Sequence, residues 1–225
     1  AMNCSKLLAI CCCMLLTTTA FCQTEKKKIS AQRITTTLKI DGSLDEPEWK
    51  TTTAADKFTA LRPTPFKPEN PDNKSEVYFL YNNEGIYIGG YFHEKNKDSI
   101  ASELIGRDGF GNNDFVGVIF DTYNDKINGF EYFVTPLGEQ WDAKMNPPSM
   151  DGEMEDFSWS AVWKSGAVIT DSGWSFEMFI PFSAIRFGSK DVQDWGVNIT
   201  RRRRRTEQQN FMVRKPYFQS LMNFI

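Results

Sequence analysis

The feature that most constrains the fold is a succession of short runs of β-forming residues separated by turn residues. Residues 76–81 (EVYFLY) and 85–92 (GIYIGGYF) flank the turn NNE, and residues 114–122 (DFVGVIFDT) and 129–135 (GFEYFVT) flank YNDKIN. About ten to twelve such runs follow one another, a spacing typical of sandwiches and barrels, and no long amphipathic helix interrupts them. The pattern predicts an all-β fold, an antiparallel β-sandwich of jelly-roll type with at most short helical turns.

Alternation within the runs predicts which side chains face the core, because successive residues of a strand point to opposite faces. Trp174 is expected to share a face with the apolar residues two, four and six positions later, whereas Glu177 falls on the other face. Trp163 and Trp195 are also predicted to be core or rim residues. The residues expected to be largely buried where two sheets pack face to face are Val116, Val118, Phe120, Phe133, Phe176, Met178, Ile180 and Val197.

Residues 1–22 have a different character from the rest of the chain. One Lys precedes an apolar run from residue 7 to residue 16, and Ala20 and Cys22 occupy the −3 and −1 positions of a cleavage site before Gln23. This pattern predicts a secretory signal peptide, with a lipid anchor on Cys22 as the alternative. We therefore expect export to the periplasm, the outer membrane or the extracellular space.

The remaining chain divides into three parts. Residues 23–33 form a charged leader, residues 34–215 form the predicted sandwich, and residues 216–225 are read as the start of a further C-terminal region.

Several kinds of site are disfavoured by composition. All five Cys lie within residues 1–22, so the exported chain would hold no disulfide, Cys nucleophile or Cys-bound zinc. His93 is the single His, which leaves no catalytic triad and no His cluster, and it is predicted to be solvated at a strand end. The formal net charge of −3 indicates no general attraction to nucleic acid. The Arg run 201–205 is expected to alternate between two faces of a strand.

The loop between residues 121 and 128 offers oxygen ligands for a metal. An EF-hand requires Gly at position 6 and Glu at position 12, and counting from Asp121 these positions hold Lys126 and Tyr132 instead. A calcium site without the EF-hand motif, formed by Asp121, Asp125 and Asn128, remains a prediction, alongside the alternative that these side chains are simply solvated.

Five stretches carry a resemblance to a known family. In chain order they are IDGSLDEPEWK, FDTYNDKINGFEYFVTPLGEQWD, WSAVWKSG, GWSFEMFIPFSAIRF and WGVNITRRRRR. Together they resemble the N-terminal domain of a group of secreted Bacteroidetes proteins, a domain similar to a family 9 carbohydrate-binding module. The resemblance covers roughly residues 30–215. It implies a β-sandwich, carbohydrate binding, often bound calcium, and a following domain of outer-membrane β-barrel type as partner.

The function that this resemblance implies is non-catalytic glycan binding in polysaccharide capture or utilisation. Two alternatives stay open: a structural docking domain without sugar affinity, and a glycoside hydrolase, although no motif nominates its two carboxylates.

The candidate sugar site lies at a loop edge. Trp141, after a turn and between Gln140 and Asp142, is predicted to be the exposed ring, and GRDGFGNND supplies hydrogen-bonding groups and Phe110, where the family carries a Trp. The residues of this predicted site are Arg107, Asp108, Phe110, Asp114, Trp141 and Asp142.

Overall fold

A computed structural model describes residues 27–109, 111–146 and 155–212, together with the backbone of residues 220–224. The predicted signal peptide, Phe110 and most of the predicted C-terminal region lie outside these ranges. No helix within the described ranges is long and apolar enough to cross a membrane.

The described chain is built from fourteen strands. They are β1 (Lys28–Ser30), β2 (Gln32–Arg33), β3 (Thr59–Arg62), β4 (Ser75–Tyr81), β5 (Gly85–His93), β6 (Phe115–Asp121), β7 (Gly129–Val134), β8 (Gln140–Met145), β9 (Glu155–Asp156), β10 (Lys164–Thr170), β11 (Gly173–Pro181), β12 (Gln193–Arg203), β13 (Gln208–Phe211) and β14 (Ser220–Phe224). The helical segments of the described chain are 3-10 turns, at Pro47–Thr51, Pro71–Asn73, Lys97–Ser99, Phe182–Ala184 and Arg204–Thr206.

These strands form two sheets, as the sequence predicts. In the described residues the first sheet has nine strands in the order β1-β14-β12-β6-β7-β8-β9, with β13 and β3 added beside β12. The second has five, in the order β10-β11-β5-β4-β2. All pairings are antiparallel except the short β1–β14 and β2–β4 contacts. The prediction of an antiparallel β-sandwich is confirmed.

The core lies between the two sheets and follows the predicted alternation. Val116 and Val118 of β6 and Phe176 and Met178 of β11 have no exposed surface, and Trp174 is equally buried. Trp163 and Trp195 also belong to this cluster. Every residue predicted to be largely buried is buried.

The stretch around Trp159 leads into strand β10. Strand β10 begins at Lys164, and residues 157–163 before it are irregular. Trp159 and Trp163 pack against the same ring, that of Tyr132, at 6.1 and 5.4 Å between centroids.

The outer face of the second sheet is covered by residues 34–51, which we call the N-terminal strap. Leu38 and Trp49 of the strap pack with Leu80 and Tyr87 of the sheet. Glu177 lies on this outer face, as predicted, yet it is fully buried beneath the strap. Its carboxylate accepts hydrogen bonds from the N–H groups of the strap, which fastens the strap to the sheet.

The Arg run alternates as expected. Arg201 and Arg203 both reach the buried carboxylate of Glu94, with N–O distances of 2.7 and 2.6 Å. Arg202 points to the other face, and the strand ends where the 3-10 turn Arg204–Thr206 begins. His93 ends β5, partly exposed, with its Nε2 3.0 Å from Glu76 Oε2.

Candidate functional site

Aromatic side chains line the outer face of the nine-stranded sheet. Gly117 of β6 pairs with Phe133 of β7, which pairs with Trp141 of β8. On the other side Gly117 pairs with Thr200, and Thr200 with Phe211. Residues paired across antiparallel strands share a face, so these side chains form one row across the sheet.

Gly117 makes room for this row. A Cβ atom at this position would lie 2.4 Å from Cε1 of Phe133 and 2.7 Å from Cγ2 of Thr200. The missing side chain lets the ring of Phe133 lie over the backbone of β6. Phe115 adds a third ring, edge-on to Phe133 at 5.7 Å and to Trp141 at 5.2 Å between centroids.

These rings form the floor of a groove, which we call the outer-face groove. Its volume is about 340 Å³. Phe157, which is 48% exposed, and Phe211 add further rings, and two acidic and two basic side chains complete the lining. The charged lining residues are Glu131, Glu155, Arg62 and Arg202.

Glu131 is the most unusual group in the groove. Its side chain is only 3% exposed, and it makes no hydrogen bond or ion pair with any residue that the structure describes. Burial, with a smaller contribution from the nearby charge of Glu155, raises the pKa of Glu131 to about 8. At neutral pH the carboxyl group is therefore mainly protonated, and it can both donate and accept a hydrogen bond.

Basic side chains line another part of the groove. Phe115 pairs with Arg202, Arg202 with Gln209, and Gln209 with Arg62. The guanidinium of Arg202 lies 5.9 Å from the centre of the Phe115 ring. Its contact with Glu207 is long, at 3.8 Å, and both side chains are solvent-exposed, so this pair holds the guanidinium only weakly. The groove thus combines apolar rings with groups that can donate and accept hydrogen bonds.

The structure places the predicted Trp141 differently. Its ring is 1% exposed and stacks on Phe133, so the prediction of an exposed ring was wrong. The sequence reading assumed that a ring after a turn faces solvent, whereas Trp141 is already the second residue of β8 and lies in the aromatic row. Phe133 is buried as predicted, but on the outer face rather than between the sheets.

Arg107 is occupied by structural contacts. Its guanidinium donates to Asp142 Oδ2 at 2.7 Å, to the carbonyl oxygen of Ala161 at 2.9 Å, and to the side chain of Gln140. Asp142 is buried and also accepts from the indole N–H of Trp163 at 2.9 Å. This network anchors the segment before β10 on strand β8, and it engages both side chains in structural contacts.

Asp114 and Asp108 are separated by the structure. Asp114 is 1% exposed, and its Oδ1 accepts from the backbone N–H of Arg204 at 2.7 Å. Burial raises its pKa to about 6. Asp108 remains partly exposed, at positive φ, with an ion-pair contact of 3.5 Å to Arg107. Of the described loop-edge residues, Arg107 and Asp108 are open to solvent, with side chains 40% and 54% exposed, and Phe110 lies outside the described residues.

The loop predicted to bind calcium satisfies its own carboxylates. Asp121 is buried and accepts from the N–H groups of Asp125 at 3.0 Å and Lys126 at 2.7 Å. Asp125 accepts from the backbone N–H and the side-chain amide of Asn128. No group of three His, Cys, Asp or Glu suited to a metal occurs in the part of the chain that the structure describes. As arranged, these residues do not fit an ion, and calcium stays a prediction.

No protein-family model matches the chain, and no curated protein matches it. Solved structures do. A candidate carbohydrate-binding protein from Bacteroides uniformis superposes with a TM-score of 0.63 at 12% identity, over 88% of this chain and 99% of that one. A family 9 carbohydrate-binding module from Caldicellulosiruptor kristjanssonii in complex with cellotriose gives a TM-score of 0.55 at 10% identity, over 87% of this chain and 92% of that one.

The chain shares its fold with these proteins. A family 9 carbohydrate-binding module from Caldicellulosiruptor kristjanssonii in complex with glucose agrees, with a TM-score of 0.51 at 11% identity over 83% of this chain and 85% of that one. At such identities the similarity concerns the fold alone.

Sequence reasoning missed the outer-face groove, although one signal pointed to it. Glu131 shares its strand face with Phe133 in GFEYFV, so an acidic residue sits within an apolar strand. The alternation of β7 and β8 alone does not reveal which rings meet, because that depends on the register between strands.

Proposed function

We propose that this domain binds a glycan, without cleaving it, in the outer-face groove. The observation that carries the proposal is the row of rings with the buried Glu131 beside it, on a carbohydrate-binding-module fold. Flat aromatic faces contact the apolar side of a sugar ring, while hydroxyl groups need donors and acceptors around it. The protonated carboxyl of Glu131 and the guanidinium of Arg202 supply such groups.

The proposed ligand class is a neutral oligosaccharide, with glucose and cellotriose as first probes. These sugars occupy the solved modules of the same fold. Isothermal titration of the purified protein against both, and against a panel of plant, algal and bacterial polysaccharides, measures the affinity directly. In parallel, a spectrum of the indole N–H groups should show a shift of the Trp141 signal on binding.

Two variants test the location of the site. Phe157→Ala and Arg202→Gln change side chains that are not fully buried, so the fold should survive, and each should weaken binding several-fold through the loss of a ring contact or about one charged hydrogen bond. Val192→Ala is the matched control, since its side chain is also 48% exposed and does not line this groove. Absence of binding to any glycan in the panel would favour the structural docking role instead.

A second candidate function is glycoside hydrolysis. Its supporting observation is that Glu131, with its raised pKa, shares the groove with the exposed carboxyl of Glu155, and a protonated carboxylic acid beside a second carboxyl is the usual arrangement of glycosidases. Release of reducing ends from the bound polysaccharide, abolished by Glu131→Gln, would establish this activity. Binding with no release of reducing ends over a day supports the non-catalytic function.

The cellular setting is proposed from the sequence alone. The signal-peptide pattern of residues 1–22 and the confinement of the Cys residues to that segment support export, and polysaccharide capture at the outer membrane follows from the family resemblance. A following β-barrel domain is proposed on the same resemblance.

A further inference from the structure

A second site surrounds Trp159, at a distance in the fold from the outer-face groove. The Trp159 ring packs on the core ring of Phe130 at 5.3 Å between centroids and is itself only partly buried. Two grooves of about 360 and 390 Å³ adjoin it, and both are lined by Phe130, Trp159 and Arg186. We call these two connected grooves the Trp159 groove. Phe130 belongs to the face of the first sheet opposite to Phe133, which separates the two sites.

Two cations line the Trp159 groove. Lys144 lies directly opposite Phe130 in the β7–β8 register and is partly buried, and Arg186 is exposed. Neither side chain makes a hydrogen bond or ion pair within the described ranges of the chain. The indole N–H of Trp159 also lacks a hydrogen-bond acceptor there. The ring of Tyr123, 56% exposed, lies at one end of the groove.

Two acidic side chains of the described residues that lie near the groove make their hydrogen bonds to other groups, although the charge of Lys144 adds to the Ser158 hydrogen bonds in lowering the pKa of Asp156. Asp156 lies opposite Lys144 across the β8–β9 pair, but its carboxylate accepts from the N–H and the hydroxyl of Ser158 at 3.0 and 2.6 Å. Asp125, in the loop that also contributes Tyr123, accepts hydrogen bonds from its own turn. The groove therefore presents an aromatic face, an N–H donor and two positive charges to solvent.

We propose that the Trp159 groove binds an acidic sugar unit, a uronate or a sulfated residue of a polysaccharide. Its pyranose ring would lie against the indole, and its carboxylate or sulfate would be held by Lys144 and Arg186. A guanidinium and an ammonium converging on one anion form charge-assisted hydrogen bonds, which are stronger than neutral ones. The site is independent of the neutral-sugar groove, so either can exist without the other.

The test uses tri-galacturonate and a chondroitin sulfate tetrasaccharide as probes, with cellotriose as the neutral counterpart. The chain has six Trp, so the indole N–H region of a nitrogen-15 spectrum contains six signals, assigned by single Trp→Phe variants. We expect the acidic probes to shift the Trp159 signal and to leave that of Trp141 in place. The two acidic probes separate uronate recognition from sulfate recognition.

Charge-removing variants locate the anion. Arg186→Gln and Lys144→Gln should each weaken binding of the acidic probe by about tenfold. Raising the salt concentration to about 0.5 M should also weaken binding by the wild type, because salt screens the charges. Lys95→Gln, which removes an exposed charge on another part of the surface, is the matched control and should bind as the wild type does.

Three results would overturn the proposal. The first is a shift of Trp141 instead of Trp159 together with loss of binding in Arg202→Gln, which would assign acidic sugars to the outer-face groove. The second is unchanged affinity in both Arg186→Gln and Lys144→Gln. The third is no binding of either acidic probe at concentrations up to about 10 mM, which would imply an affinity weaker than that of nearly any specific complex. A cellotriose-induced shift of Trp141 would still support the proposed function in each case.

Discussion

The indole of Trp141 stacks on the phenyl ring of Phe133, with the ring planes 4° apart and the centroids 4.8 Å apart. The stack joins β7 to β8 on the outer face of the nine-stranded sheet, and Phe115 closes it edge-on. The stacked rings of Trp141 and Phe133 are therefore almost fully buried, although they lie on the outer face of the sheet and form part of the floor of the outer-face groove.

The first prediction concerns this stack. Trp141→Ala should lower the free energy of unfolding by about 3–5 kcal/mol, the usual cost of truncating a buried aromatic residue. Urea unfolding followed by circular dichroism measures the change. Phe157→Ala is the control, because its ring is 48% exposed and should cost much less. Wild-type stability in Trp141→Ala would mean that the ring is a surface platform, as the sequence alone suggested.

The second prediction concerns the fastening of the N-terminal strap by Glu177. Its Oε2 accepts from the backbone N–H groups of Asp41 at 3.0 Å and Gly42 at 2.9 Å, and its Oε1 accepts from the indole N–H of Trp49 at 3.0 Å. In Glu177→Gln an NH2 group replaces one of the two acceptor oxygens, so this new donor faces an N–H donor of the strap. The variant should lose about 1–3 kcal/mol, the cost of a buried unsatisfied group.

A double-mutant cycle identifies the contact responsible. Trp49→Phe removes the indole donor, so the amide of Glu177→Gln can then point to that side without opposing an N–H group. The combined loss should be smaller than the sum of the two single losses. Additive losses would argue against Glu177 as the fastening of the strap.

The third prediction concerns metal in the loop between β6 and β7. Because the carboxylates of Asp121 and Asp125 accept hydrogen bonds from N–H groups of their own loop, the fold should need no ion there. The thermal midpoint should stay the same after treatment with EDTA and after addition of millimolar calcium. A calcium-dependent rise that disappears in Asp125→Asn would establish the predicted site.

The sequence was most informative where a property depends on one strand alone. The burial of Val118, Phe176 and Met178 follows from alternation, and so does the outward direction of Glu177. The sequence does not reveal which element covers an outer face, and this determines the surroundings of both Glu177 and Trp141. The same limit applies to Arg107, whose guanidinium binds Asp142 and Ala161 across a long sequence separation. Such contacts depend on register and packing, which local pattern does not encode.

The last prediction concerns the pH dependence of stability. Burial raises the pKa of Glu131 to about 8, that of Glu177 to about 7 and that of Asp114 to about 6. In the unfolded chain these carboxyl groups recover ordinary values near 4.5 for Glu and 3.8 for Asp. Between the unfolded and folded values the folded state binds more protons, so the free energy of unfolding falls as the pH rises through this window.

The thermal midpoint should therefore decrease between about pH 5 and about pH 9, the window in which these groups titrate. Glu131→Gln isolates the largest contribution, because an amide of similar shape carries no charge at any of these pH values. Its midpoint should match that of the wild type near the acidic limit and exceed it by a few degrees near the basic limit. Glu155→Gln is the control, since its carboxyl group is exposed and its removal takes away only a neighbouring charge. Parallel midpoint curves for Glu131→Gln and the wild type would show that Glu131 is already ionised in the folded protein, and that the groove presents a carboxylate rather than a proton donor to its sugar.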